Sequence, residues 1–257
     1  MFSANSIKIL FCIFACGLFV FGCAPPKDKV KQDVINAKNK LNFSGYEWDI
    51  KNTTKRVGPG NNYFSSSTDN VWVDTEGHLN LKISQQNNRW QCAEVISKQH
   101  FGYGLYEFFV AARTDKFDKN VVLGLFTYDK KLRPHYNEID IEFSKWGNNT
   151  DTNSQFVVHH NQNYFESHRF KHPTGLKFST HIILRNKDSI YFASYEGHYR
   201  NAIKSRKPYQ SWTYKNNFNP KPANEKVHIN LWLFRATALS QKKEEFVSIY
   251  GFWHSAY

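Results

Sequence analysis

The chain is poor in cysteine and methionine, and its cysteines are unevenly placed. Among 257 residues there are four Cys and one Met. Three of the cysteines, at positions 12, 16 and 23, lie near the N-terminus, which leaves Cys92 alone in the remaining sequence. A single cysteine cannot form an intramolecular disulfide, so the class of small disulfide-stapled domains is excluded. We expect Cys92 to be a small buried hydrophobic residue.

The sequence also lacks an apolar run long enough to cross a bilayer. The longest run, from Ile9 to Phe21, has thirteen residues, whereas a spanning helix needs about 20. Because Lys8 precedes this run, residues 1–22 are predicted to be a signal peptide. The junction Val20-Phe21-Gly22-Cys23 resembles a bacterial lipobox, which predicts lipidation of Cys23 and an anchor in the cell envelope, at the outer membrane or cell surface. The alternative is an ordinary signal peptide and a secreted protein.

Acidic residues are fewer than basic ones. The chain has 34 Lys and Arg against 22 Asp and Glu, a formal net charge of +12. Such a balance favours nucleic acid, an anionic membrane surface or an acidic polysaccharide as partner. The basic residues are dispersed and no nucleic-acid-binding motif is present, so we expect no nucleic acid. Residues 23–42 are polar, rich in Lys and Asn, and are predicted to be a tether behind the lipid anchor.

From Phe43 onward the pattern is that of β-strands. Aromatic residues make up 17% of the chain, a composition that suits sheet faces and carbohydrate clefts. Short apolar runs separated by turn signals recur without helical periodicity; Val71–Val73 and Leu79–Ile83, for example, flank a turn at 74–77 and predict a hairpin. Residues 43–257 are therefore predicted to be one all-β sandwich domain.

The most informative stretch runs from Asn137 to Phe143, where acidic and apolar residues alternate. On a strand, Glu138, Asp140 and Glu142 share one face. At about 3.3 Å per residue, the two glutamates leave the backbone roughly 13 Å apart, and their side chains can approach the roughly 5–5.5 Å carboxyl spacing of retaining glycosidases. Like-charge repulsion should raise at least one pKa and so create a general acid beside an ionised nucleophile. Solvated surface acids or a divalent-cation site are the alternatives.

Several segments taken together resemble one family. The strand from Glu138 to Phe143 is similar to the catalytic strand of glycoside hydrolase family 16, in the regular form found in lichenases and xyloglucan transglycosylases. Four further lichenase-like segments occur in the same order: Cys92–Glu94, Gly102–Glu107, Phe126–Tyr128 and Asn230–Trp232. The resemblance spans approximately residues 43 to 257. It implies a concanavalin A-like jelly roll of two sheets, with one sheet lining a polysaccharide cleft.

The resemblance also implies roles that the residue pattern leaves open. Glu138 takes the position of the nucleophile, Glu142 that of the acid/base, and Asp140 lies between them to tune their protonation. The implied activity is retaining, endo-acting hydrolysis of a β-linked, β-glucan-like polysaccharide. No cofactor or metal is required for this chemistry. A structural calcium ion is compatible with the family, although no ligands for it are assigned.

The implied substrate shell is only partly preserved. The positions that match sugar-holding residues of lichenases, together with a nearby histidine, are Glu94, Phe126, Tyr128, His159, Asn230 and Trp232. Trp232 is the stacking candidate, with a core tryptophan as the alternative; His159 is either a donor to a sugar hydroxyl or a structural histidine. Where lichenases carry Arg and Asn, this chain has Ile96 and Val157. We therefore expect conserved chemistry with a different polymer specificity.

Three alternatives remain at this level. A transglycosylase would use the same residues, with a sugar instead of water as acceptor. A non-catalytic carbohydrate-binding surface lipoprotein would have no need for three crowded acids, so the trio argues against it. The third is a surface protein that binds anionic polymers through its charge. In each case we expect a monomer.

Overall fold

Strands are the main secondary structure of the part of the chain that the structure describes. The computed structural model describes residues 39–131, 137–149, 152–161, 163–216, 218–241 and 244–256. Within these ranges the elements are β1 (Lys40–Phe43), β2 (Tyr46–Ile50), β3 (Tyr63–Phe64), β4 (Val71–Val73), β5 (Leu79–Gln86), β6 (Arg89–His100), β7 (Gly104–Ala111), β8 (Val121–Tyr128), β9 (Ile139–Phe143), β10 (Ser154–His159), β11 (Phe165–Phe170), β12 (Phe178–Arg185), β13 (Ile190–Glu196), α1 (Ala202–Ser205), β14 (Gln210–Tyr214), β15 (Lys226–Leu233) and β16 (Glu245–Ala256), with 3₁₀ turns at Thr114–Lys116 and Phe234–Ala236.

These strands form two layers joined at one corner. The first sheet has the order β11-β10-β9-β8-β15-β6-β2-β1, and the second has the order β4-β5-β16-β7-β12-β13-β14. Strands β5 and β6 also pair with each other, with Ser84 opposite Gln91, and so connect the layers. Neighbouring strands are antiparallel, apart from the short parallel pair β3–β6. The predicted two-sheet jelly-roll sandwich is confirmed.

The core lies between the sheets and follows from strand alternation. On β9 the apolar residues Ile139, Ile141 and Phe143 are fully buried. Rings from the two layers meet there, as where Phe156 of β10 stacks on Phe192 of β13 with centroids 5.1 Å apart. Because successive side chains of a strand point to opposite faces, burial of this apolar set turns the intervening acids of β9 to the outer face of the first sheet.

Some boundaries differ from those predicted. The tether was expected to extend to residue 42, but β1 begins at Lys40 and pairs with β2. Leu41 is buried, so the strand is held by core packing. The predicted hairpin around residues 74–77 is confirmed, because β4 and β5 are antiparallel with Val73 opposite Leu79. The long strand β6 was not predicted, since polar residues on both of its faces interrupt the apolar alternation.

The N-terminal predictions lie outside the described residues. These are the signal peptide at 1–22, lipidation at Cys23 and the tether as far as residue 38. No helix in the described ranges is long and apolar enough to cross a membrane. Cys92 is buried and free, as predicted, and burial raises the pKa of its thiol to about 12.

Candidate active site

The predicted site residues converge on the outer face of the first sheet, which we call the site face. Strand register aligns them in rows that cross the sheet. One row runs through Glu94, Asn230, Gly124, Glu142 and Gln155. The adjacent row runs through Ile96, His228, Phe126, Asp140 and Val157. Residues from five strands thus form one continuous surface around the three acids of β9.

The three acids are held at different depths. Asp140 is buried, while Glu138 and Glu142 are half-buried. The Gln155 amide donates to Glu142 Oε2 at 2.7 Å. Nε2 of His159 lies 3.2 Å from Asp140 Oδ2. Gln155 and His159 both come from β10, so this strand fixes the orientation of the acidic side chains beside it.

The electrostatics of this group favour retained protons. Burial raises the pKa of Glu142 to about 8, with help from the negative charge of Asp140 and against the hydrogen bond from Gln155. The pKa of Asp140 also lies well above its usual value, because of burial and then of the charge and hydrogen bond of Glu138. A carboxyl that keeps its proton near neutrality, beside other carboxylates, can act as a general acid.

The same neighbourhood could accommodate a cation. Ligand atoms of Glu138, Asp140 and His159 all lie within 4.8 Å of one another. Carboxylate oxygens suit hard divalent cations, and an imidazole nitrogen suits transition metals. The geometry is therefore compatible both with a pair of catalytic carboxylates and with metal binding.

Glu94 lies in a contrasting environment on the same face. It is only 2% exposed, and its carboxylate is held by Lys51 Nζ at 2.7 Å and by Nδ1 of His228 at 2.9 Å. Burial alone would raise the pKa of Glu94, but the His228 hydrogen bond and the Lys51 charge outweigh it and the pKa is lowered. Glu94 is thus a fixed anion whose oxygens both have partners.

Its partner His228 links Glu94 to the predicted aromatic residues. The ring of His228 stacks on Phe126 with centroids 4.8 Å apart, and Tyr128 approaches it edge-on at 5.9 Å. Phe126 and Tyr128 are half-buried and remain available to a ligand on the site face.

Asn230 occupies the middle of the face and depends on a glycine. Its side chain is buried, and within the described residues its Oδ1 has no hydrogen-bond partner. A Cβ at position 124 would lie 2.5 Å from that oxygen. Gly124 therefore leaves the space that the Asn230 side chain occupies.

Trp232 closes one end of the site face. It is 8% exposed and belongs to the hydrophobic core cluster. Its ring meets Trp146 edge-on at 6.2 Å, and a Cβ at Gly60 would come within 2.5 Å of it. Most of the ring is therefore covered by protein, with little left for stacking against a sugar.

Sequence reasoning missed several residues that contribute to the site. Lys51 and His228 contact the carboxylate of Glu94, and the amide of Gln155 donates to Glu142. Phe165 is 50% exposed and lies opposite His159 in the register, with ring centroids 5.4 Å apart. Of these, Gln155 was within reach, because on a strand it shares a face with Val157 and His159, both of which the sequence analysis considered. Lys51 was not, because 43 residues separate it from Glu94.

The two expected departures from lichenases lie on the site face. Ile96 is half-buried between Asp49 and His228 in the register. Val157 is buried next to Asp140. Both put an apolar side chain among polar ones, so neither position offers a donor or an acceptor to a sugar hydroxyl.

Comparisons with known proteins agree with this arrangement. A β-glucanase of Paenibacillus polymyxa is 38% identical over 76 residues, which is 29% of this chain and 31% of that protein. The chain thus spans about a third of the length of this curated relative.

Solved structures share the fold at low sequence identity. A Bacillus licheniformis β-glucanase superposes with a TM-score of 0.62 at 18% identity, covering 86% of this chain and all of that one (100%). A lichenase from a mouse hindgut metagenome gives 0.60 at 18%, covering 82% and 93%. A pseudo β-1,3-glucanase of Mycobacterium tuberculosis gives 0.59 at 20%, covering 81% and 91%.

The family assignment rests on a longer match. The sequence model of the glycosyl hydrolases family 16 matches residues 59–247, well over half of the chain. This interval contains the three acids of β9, Glu94 and the aromatic residues of the site face. The chain belongs to glycosyl hydrolase family 16.

Proposed function

We propose that this protein is a retaining, endo-acting glycoside hydrolase that cleaves a β-linked, β-glucan-like polysaccharide by double displacement. The observation that carries the proposal is the acidic row on β9, in which burial and neighbouring carboxylates raise the pKa of Glu142 to about 8. Family membership and the similarity to a β-glucanase support the same chemistry.

The two glutamates take complementary roles in this mechanism. Glu142 gives its proton to the glycosidic oxygen as the bond to the leaving sugar breaks. Glu138 attacks the anomeric carbon and forms a covalent glycosyl-enzyme. Ionised Glu142 then takes a proton from water, whose oxygen attacks the same carbon and releases Glu138. Two inversions give net retention, and both glutamates return to their starting states.

Asp140 acts through its neighbours. It is hydrogen-bonded with Glu138 and, once ionised, adds negative charge beside Glu142. Through these contacts it adjusts which of the two glutamates carries the proton, without bonding to the substrate. We therefore assign it as a positioning residue whose loss costs less than the loss of either glutamate.

Product analysis tests the proposal. The purified protein is incubated with mixed-linkage glucan, β-1,3-glucan, xyloglucan and sulfated galactans, and products are sized and followed by proton NMR. We expect internal cleavage of one polymer, with the β-anomer formed first. Initial α-product would contradict the retaining mechanism. Binding without cleavage would favour a carbohydrate-binding protein, and elongated oligosaccharides would identify a transglycosylase.

The polymer is expected to differ from that of lichenases. The apolar side chains of Ile96 and Val157 remove donors and acceptors from the site face, and each lost hydrogen bond costs on the order of 1 kcal/mol. Two or three such losses weaken transition-state binding by about one to three orders of magnitude. We expect low kcat/KM on barley β-glucan. The double variant Ile96→Arg with Val157→Asn should raise it, and failure to do so with a normal fold would contradict this.

Hydrolysis is proposed to need no metal, although Glu138, Asp140 and His159 could hold one. Overnight dialysis against a chelator should leave kcat unchanged, and added Ca²⁺ should act only on the melting temperature. If chelation lowered kcat and one divalent cation restored it, Glu138, Asp140 and His159 would instead be ligands of a metal ion.

The protein is proposed to be anchored in the bacterial envelope through lipidated Cys23. Labelled palmitate should enter the wild-type protein and not Cys23→Ser. Absence of label from both would indicate a secreted protein instead.

A further inference from the structure

A pocket of about 310 Å³ adjoins the end of the site face that Trp232 closes. Asn62 lines it and donates to the carbonyl oxygen of Leu233 at 2.8 Å. The turn that precedes Asn62 packs on Trp232 itself, because Gly60 lies directly against its ring. The pocket therefore lies next to the Trp232 end of the face on which we place the polysaccharide.

Two arginines give the pocket its charge. Arg56 and Arg89 both lie over the ring of Tyr63, at 5.2 and 4.2 Å from its centroid. Arg56 is also fixed by donating to the carbonyl oxygen of Asn61 at 3.0 Å. Because the tyrosine ring and this hydrogen bond hold the guanidinium groups in place, little ordering is needed when an anion arrives.

Among the described residues, no carboxylate compensates this positive charge. No carboxylate lines the pocket. Across the described ranges, neither Arg56 nor Arg89 takes part in an ion pair, although Arg113, Arg185 and Arg200 all do. Arg56 and Arg89 share the ring of Tyr63 and have no counterion among the described residues, so their guanidinium groups can receive an anion of another molecule.

The remaining walls fit a sugar as well as an anion. Asn87 and Asn88, in the turn between β5 and β6, contribute amide groups. Trp90 contributes a half-buried aromatic ring of the kind that covers the apolar face of a pyranose. A planar guanidinium matches a carboxylate or sulfate in bidentate fashion. The guanidinium groups, the asparagine amides and the Trp90 ring together are suited to bind one acidic sugar residue.

We propose that this pocket binds an anionic sugar residue, bearing a carboxylate or a sulfate ester, in the polysaccharide that occupies the site face. The inference rests on the proposed function for the position of the chain and adds the class of substrate: an acidic β-linked glycan. It accounts for the Arg56–Tyr63–Arg89 group, which the hydrolytic mechanism does not use.

Calorimetric titration tests this without turnover. Oligosaccharides of equal length, one neutral, one containing uronate and one carrying sulfate esters, are titrated at physiological ionic strength into Glu138→Gln, so that none is cleaved. We expect at least one acidic ligand to bind at least tenfold more tightly than the neutral one. The preference of uronate over sulfate, or the reverse, then identifies the anionic group.

Charge-matched variants separate the pocket from the general basicity of the surface. In the Glu138→Gln background, Arg56→Gln with Arg89→Gln should lose that tenfold preference while keeping the affinity for the neutral ligand. Lys204→Gln with Arg206→Gln removes the same charge near α1, where Arg206 stacks on Tyr199 at 3.8 Å, and should retain the preference. Melting temperatures confirm that both double variants are folded.

Several outcomes would overturn the proposal. Equal binding of acidic and neutral ligands by the parent protein is one, and equal loss of preference in both double variants is another. Complete displacement of the acidic ligand by equimolar inorganic sulfate, or tighter binding of single-stranded RNA, would also contradict an acidic-glycan subsite. Failure of hydrolysis alone would overturn the proposed mechanism and leave these binding results standing.

Discussion

Two acidic groups on the same face of one sheet behave in opposite ways. Glu94 and Glu142 lie in one cross-strand row, separated only by Asn230 and Gly124. Burial is the largest influence on each and acts in the same direction. Yet the pKa of Glu142 is raised to about 8, whereas the pKa of Glu94 is lowered.

A nearby ammonium group and an imidazole hydrogen bond account for the difference. Lys51 and His228 both contact the Glu94 carboxylate, so its charge is balanced where it is buried. Glu142 has a neutral amide from Gln155 as its hydrogen-bond partner and further carboxylates beside it, and the favourable effect of His159 is the smallest of the influences on it. Burial therefore leaves Glu142, which has no close ammonium partner, with a raised pKa. It leaves Glu94, which contacts Lys51, as an ionised carboxylate. The comparison predicts different consequences for changes in each group.

The largest effect is expected from the β9 glutamates. Glu138→Gln and Glu142→Gln should each lower kcat by about 10³-fold or more, because loss of a nucleophile or general acid removes the main chemical contribution. Circular dichroism should show an intact fold. Asp140→Asn should lose less. Near wild-type turnover in either glutamine variant would refute the role assigned to that residue.

Around Glu94 the expected effect is on stability. Lys51→Met leaves a buried carboxylate with one partner instead of two, which should cost about 3 kcal/mol and lower the melting temperature by roughly 6–12 °C. The matched control is Lys40→Met, whose ion pair with Glu47 is exposed on both sides (36% and 48%) and should cost under about 1 kcal/mol.

A second substitution tests whether the lower melting temperature of Lys51→Met comes from the charge of Glu94. Adding Glu94→Gln to Lys51→Met removes the unbalanced charge and should recover most of the melting temperature. If the two lysine variants behaved alike, or if Glu94→Gln brought no recovery, the balanced-anion account of Glu94 would be wrong.

The pH dependence of activity should change when a neighbour of Glu142 is substituted, but not when a neighbour of Glu94 is substituted. In the proposed mechanism Glu142 must be protonated to donate, so kcat/KM should fall as pH rises through about 8. Asp140→Asn removes a negative neighbour and should move this alkaline limb to lower pH. His228→Gln, which acts on Glu94, should leave the limb in place. An unmoved limb in Asp140→Asn would show that Glu142 does not control it.

The last expected effect is a gain in stability at alkaline pH. The folded pKa of Glu142, about 8, lies above the value near 4.3 expected in an unfolded chain. The protonated side chain therefore favours the folded state at low pH, and this contribution is lost as pH rises through about 8. Glu142→Gln stays neutral, so it should melt at a higher temperature than wild type at pH 9 and at the same temperature at pH 4. Lower stability at both pH values would contradict this.

The parts of the fold that could be predicted are those with local patterns. Strict alternation from Glu138 to Phe143 determines which side chains enter the core, so it located both β9 and the acidic row. The hairpin between β4 and β5 followed from its turn residues. Strand β6 escaped prediction because buried polar residues such as Glu94 and Ser97 interrupt its apolar pattern.

What could not be predicted depends on contacts between distant segments. Lys51 reaches Glu94 from a loop 43 residues away. The start of β1 at Lys40 depends on pairing with β2 and on burial of Leu41, although the segment reads as a polar tether. Arg56 and Arg89 meet at Tyr63 only because β3 lies beside β6. These features fix the charges around the site, so those charges could not be predicted from local patterns.

Titration of the carboxyl groups by carbon-13 NMR can distinguish a protonated Glu142 from an ionised Glu94. We expect a side-chain carboxyl in the wild-type protein that titrates near pH 8 and is absent from Glu142→Gln. We also expect the Glu94 signal, assigned by its loss in Glu94→Gln, to remain that of an ionised carboxylate from pH 9 down to at least pH 5. A Glu142 carboxyl already ionised at pH 6, with normal activity at that pH, would contradict the account.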